Sequence, residues 1–144
     1  MATNAQFAAT PVIEVTQIPG IANTARDGSG TTTLVCAGPT STAASGVGKR
    51  ITRAIVHAPQ TTTQGMIRFF INEGSSTSNK RLYLEKSVSP ITPSAFISAF
   101  RMEVPELSGL ILQGIGGSGN TSCNLYASTE VGNTFNIIIE SGLL

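Results

Sequence analysis

Apolar and polar residues alternate along most of this chain, and the alternation marks out its elements. Between Met66 and Asn72 the odd positions Ile67, Phe69 and Ile71 are apolar, while Arg68 and Asn72 are polar. Successive side chains on an extended strand point to opposite faces, so this run offers one greasy face and one polar face. The run before it, Arg50–Ala58, puts Ile51, Arg53 and Ile55 on one side and the small apolar Ala54 and Val56 on the other. That pattern suits a strand covered on both faces, in the middle of a sheet. Pro59 opens the connector between the two runs and Gly65 closes it, which is turn chemistry.

The same period recurs down the chain. Pro11–Ile18 reads as a short strand, and Thr31–Ala37 carries Leu34 and Cys36 on one face. Lys80–Val88 sets Leu82, Leu84 and Val88 against Arg81, Tyr83 and Glu85, and Phe100, Met102 and Val104 alternate with Arg101 and Glu103. Leu107–Ile115 is a short apolar run, Ser122–Ser128 buries Cys123, Leu125 and Ala127, and Thr134–Glu140 buries Phe135, Ile137 and Ile139. Segments rich in Gly, Pro, Ser and Thr separate these runs. No window sustains a helical period; Ser94–Phe100 is the one short candidate, and Pro93 and its β-rich setting argue against it. About eight strands at even spacing predict an all-β, antiparallel sandwich of jelly-roll type over residues 31–144. An immunoglobulin-type sandwich is disfavoured, because the chain has no Trp to sit between a Cys pair.

Residues 1–30 differ from the rest of the chain and predict an extended N-terminal arm. Phe7 stands alone in a small, polar stretch, and within Pro11–Ile18 the apolar Ile13 and Val15 alternate with Glu14 and Thr16. A floating segment gains nothing from such a pattern, so the arm is expected to dock, with Phe7, Val12, Ile13, Val15 and Ile18 as interface residues. Removing residues 1–20 is expected to leave a folded domain.

Composition narrows the function classes. Charged residues make up 12% of the chain, about half the usual share, and Thr, Ser, Gly and Asn replace them. Either a turn-rich β protein or a protomer that shares much of its surface with neighbours has this composition. A net charge of +1 gives no electrostatic case for nucleic acid or an anionic membrane. The N-terminus lacks the layout of a signal peptide, and no apolar run approaches a membrane span, so a cytosol-like compartment is expected. Cys36 and Cys123 read as small core residues rather than a zinc pair.

Candidate chemistry is sparse. His57 is the only histidine and Asp27 the only aspartate, and no Gly-x-Ser-x-Gly elbow accompanies them. Gly114–Gly119 has the glycines of a dinucleotide loop but leads into a strand, where that mechanism needs a helix. Ser45–Arg50 has the wrong spacing for a phosphate loop. The acidic residues form no metal-binding cluster, and solvated surface carboxylates are the expectation over a glycosidase pair. The chain therefore reads as a non-enzyme without metal or cofactor. Phe70, Tyr83 and Tyr126 point to the non-core face by alternation, and are expected at a subunit interface or a sugar-binding surface.

The runs Ala22–Thr31, Lys49–Ile51 through Thr61–Ile71, Ile91–Ala95, and Leu125–Thr129 with Thr134–Asn136 resemble, in the same order and over nearly the whole chain, small virion structural proteins of tailed bacteriophages. The resemblance carries no catalytic residues. It implies a head-decoration or cement protein, assembled in the host cytoplasm, that sits on the capsid shell and bridges its subunits. Its implied partners are the major capsid protein and copies of itself, with a homotrimer expected because decoration sites lie on local symmetry axes. A tail-fibre or receptor-binding domain, touching a host glycan through loops such as Gly114–Asn120, is the alternative.

Overall fold

The computed structural model describes residues 10–39, 48–72, 76–113 and 122–144. Phe7 and the Gly114–Asn120 loop lie outside them. Among the described residues nine strands succeed one another: β1 (Thr10–Ile18), β2 (Thr33–Cys36), β3 (Gly48–His57), β4 (Gly65–Asn72), β5 (Lys80–Val88), β6 (Arg101–Glu103), β7 (Ile111–Gln113), β8 (Leu125–Thr129) and β9 (Phe135–Leu143). A 3-10 turn at Pro105–Leu107 is the one helical element among them. The first sheet runs β1-β9-β3-β6, with β7 also on β3, and the second runs β2-β8-β4-β5. Every strand pair is antiparallel.

The pairings nest. β1 lies on β9, β2 on β8, β3 on β6 and β7, and β4 on β5. One long antiparallel ribbon has thus been rolled so that its successive rungs fall in opposite sheets, which is the jelly-roll sandwich expected from the strand spacing. The core lies between the sheets. Phe135, Ile137 and Ile139 of β9 face Ile67 and Phe69 of β4 and Leu125 and Ala127 of β8, all fully buried. Phe100 meets Phe135 edge-on, with ring centroids 6.3 Å apart.

Two irregularities overturn simple alternation. On β3, Ile51 pairs with Ser141 and Arg53 with Glu140, so Thr52 is an extra residue. Such a bulge shifts the pleat by one position. Ile51 therefore turns inward with Ala54 and Val56 rather than outward with Arg53 and Ile55. Between β4 and β5, Phe69 pairs with Leu84 and Phe70 with Leu82, which leaves Tyr83 unpaired. Leu84 then reaches the core while Leu82 stays exposed.

The predicted arm is corrected. From Thr10 onward it is the edge strand of the chain's own first sheet, in register with β9 over nine residues. Its parity is also the reverse of the obvious one. Ile18, 2% exposed, pairs with Phe135 in the core, which turns Thr16, Glu14 and Val12 inward as well. Ile13 and Val15 face out, each 66% exposed.

Residues 1–20 thus include a structural strand, and their removal uncovers β9. Along β1, Ile18→Ala is expected to cost about 2–5 kcal/mol, whereas Ile13→Ala is expected within about 0.5 kcal/mol of wild type. Urea unfolding of the two variants checks this, because the opposite parity reverses the order.

Candidate functional site

The segment between β1 and β2 lies over the outer face of the second sheet as a strap. Ala22 bridges Thr129 and the Asn23 N–H donates to the Thr129 carbonyl at 2.8 Å, which anchors the strap beside β8. The Asn23 amide then donates to the carbonyls of Ser29 and Thr31, both at 2.9 Å, and its oxygen accepts from the Ala25 N–H at 3.0 Å. Asp27 accepts from the Ser29 N–H at 3.0 Å. Gly28 and Gly30 adopt φ of +88° and +75°, where only glycine sits without strain. A side chain at Gly30 would also strike the Asn23 amide at 2.7 Å. The turn residues of Ala22–Thr31 therefore form a buckle closed on itself.

Beneath the buckle sits a buried cation. Arg68 of β4 is fully enclosed; its Nε donates to Glu85 Oε1 at 2.7 Å and its Nη1 to the Asn23 carbonyl at 3.2 Å, with Glu130 at 3.5 Å from Nη2. Arg26 of the strap donates to the same Glu85 oxygen at 2.7 Å. Hydrogen bonds from Arg68 and then Arg26 hold the Glu85 carboxyl below its ordinary range. A charge removed from water needs partners, and here they are the strap, Glu85 of β5 and Glu130 just after β8.

A second buried cation lies where the two sheets meet at β1 and β2. Lys49 of β3 points into the sandwich, where its ammonium donates to Glu14 of β1 and, at 3.1 Å, to the Ala37 carbonyl just after β2. Burial, with Glu14 next in effect, pushes the neighbouring Cys36 thiol up to about 12, so it stays protonated at neutral pH. Both cysteines are free. A groove of about 330 Å³ opens here between the two edge strands, lined by Glu14, Val15 and Thr16 on one side and Leu34–Ala37 on the other.

The outer face of the first sheet carries rows that cross three strands. Val15, Ile138 and Ile55 stand side by side as an apolar row. Ile13, Glu140 and Arg53 form the row on one flank, and Gln17, Asn136 and His57 the row on the other. Arg53 holds Glu103 of β6, whose carboxyl it keeps below the ordinary range, and lies 3.9 Å from Glu140.

Among the described residues, the structure places each one that the sequence singled out. Asp27 lies in the strap over the second sheet and His57 on the outer face of the first, so the fold does not bring them together. Among the described residues no group of three His, Cys, Asp or Glu could hold a metal. Of the expected surface aromatics, Phe70 is a correction: it is fully buried within the chain, on the strap-covered face. Tyr126 is half-buried beneath the Lys80 ammonium, 4.8 Å from its ring centroid, and Tyr83 alone of the three is exposed. Of the arm residues, Ile13 and Val15 are exposed, Val12 is half-buried, and Ile18 belongs to the core. Alternation alone missed Phe96, which is 98% exposed on the turn between β5 and β6.

Asn23→Ala removes the buckle's centre and is expected to cost about 1–3 kcal/mol, with faster proteolysis between Ile21 and Thr31 as the readout. The carboxyl of Glu85 is lowered from 4.5 in the folded chain, so its contribution is complete above that pH and is lost as pH falls through the lowered value. Glu85→Gln is therefore expected to flatten the acid limb of a stability-against-pH curve below pH 4.5 and leave its shape at neutral pH unchanged. No protein-family model, no curated protein and no solved structure matches this chain.

Proposed function

We propose that this chain is a non-enzymatic structural protein of a tailed-phage virion, a decoration or cement protein on the outside of the capsid shell. The observation that carries the reading is the outer face of the first sheet. There Val15, 66% exposed, and the half-buried Ile138 stand over the buried Ile55, flanked by charges of both signs, Arg53 with Glu103 and Glu140. An apolar centre within a polar rim is the anatomy of a protein contact. The likeness to virion proteins supports it further: its runs fall on the strap, on β3 and β4, on the connector from β5 to β6, on β8 and on the start of β9, and so span both sheets.

On this reading the contact to the major capsid protein is made by the exposed side of β1 and its neighbours, in place of a free arm. Each contact is modest, and many copies, expected as homotrimers on symmetry axes, supply strength by avidity. A cement protein needs rigidity more than chemistry. The closed buckle and the two buried ion-pair networks provide it.

Co-sedimentation with empty shells of the phage that encodes the chain tests the reading. Wild type is expected to saturate at a fixed number of copies per shell, and Ile138→Lys to weaken binding about tenfold or more. A chain that ignores shells but binds glycans on an array would instead be a receptor-binding domain, and the proposal would fall.

A further inference from the structure

The strands at the two sides of the sandwich differ in what they present. β1 and β2 end their sheets on one side, and β6 and β5 end them on the other. The first side carries the groove lined by Val15, Leu34, Val35 and Cys36, between two strands that have no outer partner among the described residues. The connector from β5 to β6 closes the second side, where the Lys86 ammonium also donates to Glu106 at 2.9 Å. At its tip Phe96 is 98% and Ile97 55% exposed.

That tip is a built feature. The Ser94 N–H donates to the Ile97 carbonyl at 2.9 Å, and the N–H groups of Phe96 and Ile97 reach the Ser94 hydroxyl at 3.2 Å. Its base is pinned by Thr62, which donates from its N–H to the Ile91 carbonyl at 2.9 Å and accepts the Ile91 N–H on its hydroxyl at 3.0 Å. The phenyl ring thus stands in water on a turn already fixed in shape. An apolar anchor held ready in this way loses little freedom on binding, as contact hot spots require.

We infer that the Phe96–Ile97 tip of one copy seats in the β1–β2 groove of the next, so that the chain associates head to tail through two different surfaces. The occupant is a second copy because both halves of the contact lie on one chain, at opposite sides of it. Their chemistry matches. Ser94–Ala99 carries no charge, and the one charged residue lining the groove, Glu14, is neutralised by Lys49. Val15, 66% exposed, and Leu34, 44% exposed, give the groove apolar walls. Surfaces that differ in this way build rings when the rotation closes, so the inference rests on the shell-decoration reading and deepens it by specifying how copies join.

Mixing of complementary variants tests it. Light scattering on the wild type is expected to give a fixed small oligomer, while Phe96→Arg and Leu34→Glu are each monomeric with wild-type circular dichroism. Both sites are exposed, so folding is expected to survive. Phe96→Ser, which adds no charge, loses the oligomer too. An equimolar mixture of Phe96→Arg and Leu34→Glu restores one intact contact and forms a dimer containing one of each. A monomeric wild type, a variant that keeps the wild-type mass, or a mixture that stays monomeric overturns the inference. A monomer that still coats shells removes this inference alone, and a tip-dependent oligomer that ignores shells removes the shell reading alone.

Discussion

The parity of β1 is the constraint on which the rest of the molecule turns. Side chains on a strand alternate strictly, so one inward residue determines the direction of all the others. Ile18 pairs with Phe135 in the core, and that places Glu14 inside and Ile13 and Val15 outside. A one-residue slip would bury Ile13 and Val15 and turn Ile18 and Val12 outward, an exchange close to even. It would also turn Glu14 away from the enclosed Lys49 ammonium, leaving a cation without its counter-charge, and breaking such a pair typically costs about 3–5 kcal/mol. With the apolar exchange near even, the ion pair selects the parity. The apolar face of the strand remains on the surface as a consequence.

The strap obeys the same logic on the opposite sheet. Arg68 sits on the outer face of β4, where a strand open to solvent would leave it hydrated. Here the Asn23 carbonyl, Glu85 and Glu130 surround it, and Phe70 on the same face is fully buried. Charge is scarce in this chain, and much of it is spent holding connecting segments to sheets: Arg68 and Arg26 for the strap, Lys49 for the junction of β1, β2 and β3, Lys86 for the turn after β6. The low charged fraction and the enclosed sandwich are therefore one fact seen twice.

Beyond these committed polar groups, the described residues leave apolar features on the surface. What it offers is contact: a ridged apolar row on the first sheet, a neutral groove at one side and an aromatic tip at the other. Groups that lie flat or project outward suit other proteins better than substrates, which is the physical basis of the tiling role proposed for this chain.

The sequence by itself determined the strand content, the order of the strands and the buried faces of β4, β8 and β9, because a period of two is a local property of the chain. Ile67, Phe69, Phe135, Ile137 and Ile139 could be placed in the core without any knowledge of the fold. Only the tertiary structure decided the bulge at Thr52, the unpaired Tyr83, the inverted face of β1 and the burial of Phe70. Each of these depends on a partner far away in sequence: Ser141 for Ile51, Leu82 and Leu84 for β4, Lys49 for Glu14, the strap for Phe70. Alternation says that a strand has two faces, and only the neighbour across the sheet says which face meets water.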